Sequence, residues 1–124
     1  MNQLSVTELA AWLKETGQAA EREPGQDAAR RQPILLDVRE PWEVQTASLS
    51  GITAIPMQQI PARIDEINAL AAAPDAEIVA ICHHGGRSAQ VAMFLERQGL
   101  GPIHNLAGGI EAWSLEIDPS VPRY

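Results

Sequence analysis

The residues best able to do chemistry stand together in the run Cys82-His83-His84-Gly85-Gly86-Arg87-Ser88. Cys82 is the single cysteine of the chain, and a thiol acts as a nucleophile only once it becomes a thiolate. The two glycines let the backbone turn back, so that successive N–H groups can point at one centre. A helix starting just after them adds unpaired N–H groups and the positive end of its dipole. Arg87 supplies a cation. A sulfur at that centre is favoured as an anion, because a cysteine pKa falls from about 8.5 toward roughly 3.5–7.5 in such surroundings. Gly-rich turns into helices also hold phosphates, so these residue types alone specify an anion site that contains a thiol.

Such a site needs a strand before it and a helix after it. Glu77 to Ile81 is an apolar run that reads as a buried strand with Cys82 at its carboxyl end. Arg87 to Gln98 has Ser88, Val91, Ala92 and Leu95 on one helical face, and Gly99 as a stop. Upstream, Ser5-Val6-Thr7-Glu8 has capping-box spacing ahead of a helix whose apolar face is Leu4, Leu9, Trp12 and Leu13. Residues 17–32 lack an apolar period and read as a surface loop, with Arg30-Arg31 in its solvated part. Ile34 to Leu36, ending at Asp37, reads as a second buried strand, and Thr53 to Ile55 as a third stopped by Pro56. Ile60, Ile64, Ile67 and Leu70 recur at helical spacing after Pro61. Ile103 to Leu106 reads as a last strand, and Ile110, Trp113 and Ser114 as a closing helical turn. Strands alternating with helices predict an α/β fold: a mostly parallel central sheet with helices on both faces and ligands beyond the strands' carboxyl ends.

The chain of 124 residues is the size of one domain. A net charge of -7 with no basic run longer than Arg30-Arg31 argues against nucleic acid as a partner, because phosphate contacts need a positive stripe. Apolar runs far shorter than the roughly 20 residues of a membrane span argue against a membrane partner. The first residues carry no secretory pattern. One cysteine makes no internal disulfide, which fits a reducing, cytoplasmic setting. His83 and His84 are adjacent, so their side chains are expected to diverge rather than share a metal, and zinc sites space their ligands further apart. They are expected to line the pocket mouth, where a partly positive imidazole would favour an anionic donor. His104, within a strand, reads as a satisfied structural histidine, and Trp42 and Trp113 as core or rim packing.

The loop resembles the active-site loop of rhodanese-like domains, in which a cysteine opens a short loop that ends near an arginine. Asp37-Val38-Arg39-Glu40 with Trp42-Glu43, the Ile55-Pro56 step and Leu106-Ala107-Gly108-Gly109-Ile110-Glu111-Ala112-Trp113 resemble other segments of that family, in the same order. Residues 117–124 resemble the tails of single-domain bacterial members and of rhodanese domains fused to enzymes that activate sulfur carriers. The resemblance implies one rhodanese-like domain over residues 1–124, with 115–124 as a C-terminal tail. Ser48 stands where many members carry a His, at a position read as structural and near the pocket rim.

By resemblance, Cys82 carries the transferred sulfur as a persulfide within a cradle formed by His83, His84, Gly85, Gly86, Arg87 and Ser88. One of Asp37 and Arg39 helps hold that loop through ion pairing. The implied reaction takes a sulfane sulfur from a small anionic donor such as thiosulfate and passes it to cyanide, a small thiol, a protein thiol or a sulfur carrier. Its two displacement steps give ping-pong kinetics and require no metal or organic cofactor. Two other readings compete. A cysteine phosphatase or arsenate reductase has five residues between cysteine and arginine, whereas only four intervene here. A non-catalytic persulfide carrier or redox sensor would keep Cys82 without turnover.

Overall fold

In the computed structural model the described residues are 1–18 and 30–124. Five strands, β1 (Asn2–Leu4), β2 (Ile34–Asp37), β3 (Thr53–Ala54), β4 (Ile78–Ile81) and β5 (Ile103–Leu106), form one sheet in the order β1-β5-β4-β2-β3. Every neighbouring pair is parallel. Among the described residues five α-helices accompany the sheet: α1 (Val6–Gln18), α2 (Pro41–Thr46), α3 (Ile64–Leu70), α4 (Gly86–Arg97) and α5 (Gly109–Glu116). The predicted α/β architecture is the one observed.

Strands buried on both faces read as unbroken apolar runs, and here the alternation sorts their side chains into two cores. Ile78, Ala80 and Cys82 join Leu36, Ile103 and the α4 residues Val91, Ala92 and Leu95. Val79 and Ile81 point the other way, toward Leu35, Leu106, the α1 residues Leu9 and Trp12, and Trp113 of α5. The chain leaves β2 for β3 on one side and returns to β4 on the other. The carboxyl ends of β2 and β4 therefore flank a reversal in strand order, where such sheets open a crevice. Cys82 follows β4 at that point.

The α1 capping box forms as its spacing predicts: Glu8 N–H donates to Ser5 Oγ and Ser5 N–H to Glu8 Oε1, both at 3.0 Å. The buried face of α4 is Ser88, Val91, Ala92 and Leu95. Several expectations need correction. Asn2 to Leu4 forms an edge strand on β5, and three residues are too few to show a period. Residues 41–46 form a helix started by Pro41, again too short to show one. The segment from Met57 enters as two 3-10 turns before α3, and Leu70 is exposed rather than part of the core. The closing turn is an eight-residue helix. Gly17 and Gln18 end α1, residues 19–29 of the expected loop lie outside the described residues, and 30–33 have no regular structure. Arg30 and Arg31 are paired: Arg30 grips both carboxylate oxygens of Glu77 and lies over the Trp12 ring, and Arg31 bonds Asp75. His104 bonds Glu77 at 2.9 Å and meets Trp12 edge-on, the structural role its position predicts.

Candidate active site

Cys82 is 1% exposed. Its Sγ accepts the Gly85 N–H at 3.1 Å and lies 3.2 Å from Ser88 Oγ. Burial by itself pushes a thiol up. Here the Ser88 hydroxyl and the N–H groups of Ser88, Gly85 and His84 outweigh burial and hold the Cys82 thiol below its ordinary value. Ser88 Oγ also lies 2.5 Å from Asn105 Oδ1, so its one hydrogen is shared between that oxygen and the sulfur, while the Gly85 N–H serves the sulfur alone. Asn105 in turn donates through Nδ2 to the Gly85 carbonyl at 3.1 Å and to Gln3 Oε1 at 3.0 Å. β5 thus fixes both the loop's backbone and its hydroxyl.

Of the two loop glycines only Gly85 is demanded by the backbone. Its φ of 105° is left-handed, and an added Cβ would sit 3.3 Å from Gly108 N and Leu106 O, whereas a Cβ on Gly86 meets open space. The loop's other support comes from behind. The first turn of α5 donates Ile110 N–H to the Cys82 carbonyl at 3.0 Å and Glu111 N–H to the His83 carbonyl at 3.1 Å. That approach is close enough that a Cβ on Gly109 would fall 2.4 Å from the His83 carbonyl oxygen. The Gly108-Gly109 pair is therefore a docking surface for the loop backbone.

Arg87 does not face the sulfur as an unpartnered cation. Its Nη1 and Nη2 meet the two carboxylate oxygens of Glu43 at 2.7 and 2.8 Å. Glu43 also accepts the Glu40 N–H at 3.1 Å and the Tyr124 hydroxyl at 2.7 Å. The Arg87 guanidinium first, helped by the hydrogen bonds from Tyr124 and Glu40 against the effect of burial, holds the Glu43 carboxyl down to about 2. Tyr124, pushed up to about 12 by burial first, keeps its proton and donates it.

Asp37 and Arg39 form a fully buried pair, with Arg39 Nη2 2.7 Å from Asp37 Oδ2. The remaining Arg39 donors reach the carbonyls of Ala47 and Glu43 and the Tyr124 oxygen. The pair makes no hydrogen bond to residues 82–88 among the described residues. Its support of the loop is indirect: it holds α2 and Tyr124, which reach the loop through Glu43 and Arg87. The rings of His83 and His84 stack at 4.0 Å instead of diverging, and Tyr124 stacks on the other side of His83 at 4.0 Å. Adjacent side chains can stack because the loop turns tightly between them and Gly85. Burial first, then the neighbouring His84, pushes the His83 imidazole below its ordinary value, which weighs against the partly positive ring expected there. Among the described residues no group of three or more metal-ligating side chains converges. Trp42 is exposed and meets Tyr124 edge-on, Trp113 is buried, and Ser48 lines a cleft with Leu13, Leu49, Trp113 and Val121, none of them a loop residue.

Glu43, Asn105 and Tyr124 were not legible as site residues. For Glu43 the available signal was its spacing three residues after Glu40 at a proline-started helix. Nothing local marks Asn105 or Tyr124, whose roles arise only when distant segments meet.

The Rhodanese-like domain family matches residues 11–116 of this chain. A chloroplast protein of Arabidopsis thaliana, "Rhodanese-like/PpiC domain-containing protein 12", is 42% identical over 90 residues, covering 73% of this chain; the chain spans only 30% of that relative's length. A "Sulfurtransferase" of Allochromatium vinosum is 37% identical over 81 residues, which are 65% of this chain and 71% of the relative. The solved thiosulfate sulfurtransferase from Pseudomonas aeruginosa superimposes with a TM-score of 0.72 at 25% identity, over 93% of this chain and 19% of that one. With a cysteine loop at the carboxyl edge of a parallel sheet and a family match over most of its length, this chain belongs to the rhodanese-like domain family.

Proposed function

We propose that this protein is a sulfurtransferase that works through a persulfide on Cys82. The thiolate attacks the outer, sulfane sulfur of a donor such as thiosulfate, and the donor's remainder departs as sulfite. The outer sulfur of the Cys82 persulfide is then taken by a thiophilic acceptor, either cyanide or the thiol of a small molecule or sulfur-carrier protein. The observation that carries this reading is the Cys82 sulfur itself, buried and yet held as a hydrogen-bond acceptor, with its thiol below the ordinary value. A core cysteine needs no such donors, whereas a buried sulfur anion does. Phosphate chemistry is less well supported. Only four residues separate Cys82 from Arg87, and the guanidinium that would grip a phosphate in two places is already held by Glu43 in two places.

Mass measurement of the intact protein after treatment with thiosulfate, and separately with an alkyl persulfide, tests the reading. The expected result is a gain of one sulfur atom that is absent in Cys82→Ser and is removed by cyanide or a thiol. Cys82→Ser should keep the fold and lose all sulfur transfer to cyanide. Transfer persisting in that variant, or no sulfur gained from either donor, would overturn the mechanism.

A further inference from the structure

Among the described residues, each guanidinium around the loop and the pair behind it already has a carboxylate. Arg87 lies on Glu43, Arg39 on Asp37, and Arg123 on Glu111, which also stands 3.6 Å from His83. Arg87 is the only arginine or lysine within residues 82–88. A helix start needs just one Glu43 oxygen on the Glu40 N–H, so starting α2 does not account for the two-point grip on Arg87 or for the hydrogen bond from Tyr124. Tyr124 holds that carboxylate in place with a hydroxyl that also accepts from the buried Arg39, and its ring rests on His83. The arrangement fixes a neutral pair where the loop would otherwise present a free positive charge.

We propose that Glu43, held by Tyr124, is a specificity-determining residue that cancels the loop cation, so that the site favours sulfur donors of low charge, a thiol-borne persulfide, over dianions such as thiosulfate. This rests on the sulfurtransferase reading. A chain of net charge -7 repels a dianion about twice as strongly as a monoanion, and a cancelled cation offers nothing to offset it. A persulfide R–S–SH brings one charge or none. The Cys82 thiolate attacks its outer sulfur, and the S–S bond breaks toward the inner one. The departing thiolate takes the proton of the outer sulfur, leaving Cys82–S–S⁻ and RSH with no external oxidant or reductant.

The test compares the parent with Glu43→Gln and Tyr124→Phe. Alkylation of Cys82 by anionic iodoacetate and by neutral iodoacetamide at pH 7 gives a rate ratio that reports the charge felt at the sulfur and requires no sulfur transfer. Glu43→Gln, which leaves the half-exposed Arg87 uncancelled, should raise the iodoacetate-to-iodoacetamide ratio about fivefold, the size of one unit charge acting through water at about 4 Å, and Tyr124→Phe should raise it less. The ratio of kcat/KM for thiosulfate to that for an alkyl persulfide should rise in the same order. A looser fold would speed both reagents alike and leave the ratio unmoved. An unchanged or lowered alkylation ratio in folded Glu43→Gln overturns the inference. If that variant does not fold, an unchanged ratio in Tyr124→Phe does so instead. If neither donor loads sulfur onto the parent, the sulfurtransferase reading falls, while the alkylation ratio still decides whether Glu43 masks Arg87.

Discussion

Two arginine–carboxylate pairs lie one behind the other at the carboxyl edge of the sheet, joined by the Tyr124 hydroxyl, and they differ in burial. Asp37–Arg39 is sealed, with side chains 1% and 0% exposed, and the donors of Arg39 run to Asp37, two backbone carbonyls and Tyr124. In Glu43–Arg87 the carboxylate is 5% exposed but the guanidinium is 37% exposed, at the loop that carries Cys82. A sealed pair cannot change partners without leaving a charge in the core, so it serves as a fixed anchor. A pair with one partner in water can be opened at much lower cost. The same chemistry thus gives an anchor inside and an adjustable charge at the mouth, and the anchor positions the adjustable pair.

Arg39→Met should have the largest effect. It leaves the Asp37 carboxylate buried and removes donors from the Ala47 carbonyl and the Tyr124 oxygen. Breaking a buried pair from one side costs about 3–5 kcal/mol, which for a domain of this size lowers Tm by about 10 °C or more. Asp37→Leu combined with Arg39→Met should recover part of that loss, because no lone charge then remains. Thermal unfolding of the two variants checks both statements, and a drop of only a degree or two in Arg39→Met would show that the anchor is dispensable.

Arg87→Ala comes next. Glu43 retains the Tyr124 hydroxyl and the Glu40 N–H, so the stability loss should be about 1–2 kcal/mol. The bare carboxylate at the mouth should reduce transfer from thiosulfate by far more than that loss of stability explains. Arg87→Ala with Glu43→Gln removes both charges and should bring donor preference back toward the parent's. Steady-state kinetics with thiosulfate and an alkyl persulfide, alongside unfolding curves, separate the two effects. If Arg87→Ala transferred sulfur from thiosulfate within about twofold of the parent, the mouth pair would have no influence on donors.

The same contrast explains what could be read from the chain. The anchor's strand, the Cys82 strand and the α4 face were legible, because a run such as Ile78–Ile81 or the spacing of Ser88, Val91 and Leu95 encodes burial locally. The loop and its cysteine were legible because residue type and order suffice for a thiol beside glycines at a helix start. The partners were not. That Arg87 turns to Glu43, 44 positions away, and that Tyr124 bridges to Arg39 over 85, depends on which segments the sheet order brings together. For Asp37 and Arg39 a supporting ion pair was legible, but not its route to the loop, which runs through Tyr124 and Glu43. The surroundings of His83 were not legible either, because the burial that pushes its imidazole down and its stacking on Tyr124 depend on distant segments.

Acid stability provides the smallest expected effect and separates the mouth pair from the rest of the fold. In the folded chain the Glu43 carboxyl lies at about 2, held down first by Arg87, whereas a free glutamate titrates near 4.3. A carboxyl whose folded pKa is depressed contributes stability that is fully present above its unfolded pKa and is lost as pH falls toward the folded value. The Glu43 contribution should therefore be intact at pH 5 and above and decline between about 4.3 and about 2. Glu77, held to about 2 by Arg30 first, declines over the same interval, so the parent's curve alone cannot separate the two. Glu43→Gln removes only the first. Its unfolding free energy should lie below the parent's by a constant margin from pH 5 to 7, and the gap should narrow as pH falls below about 4. Urea unfolding of both proteins from pH 7 to 3 measures that gap directly. A gap that stays constant down to pH 3 would mean that Glu43 is not held ionised by Arg87, and the distinction between an inner anchor and an adjustable outer pair would lose its electrostatic basis.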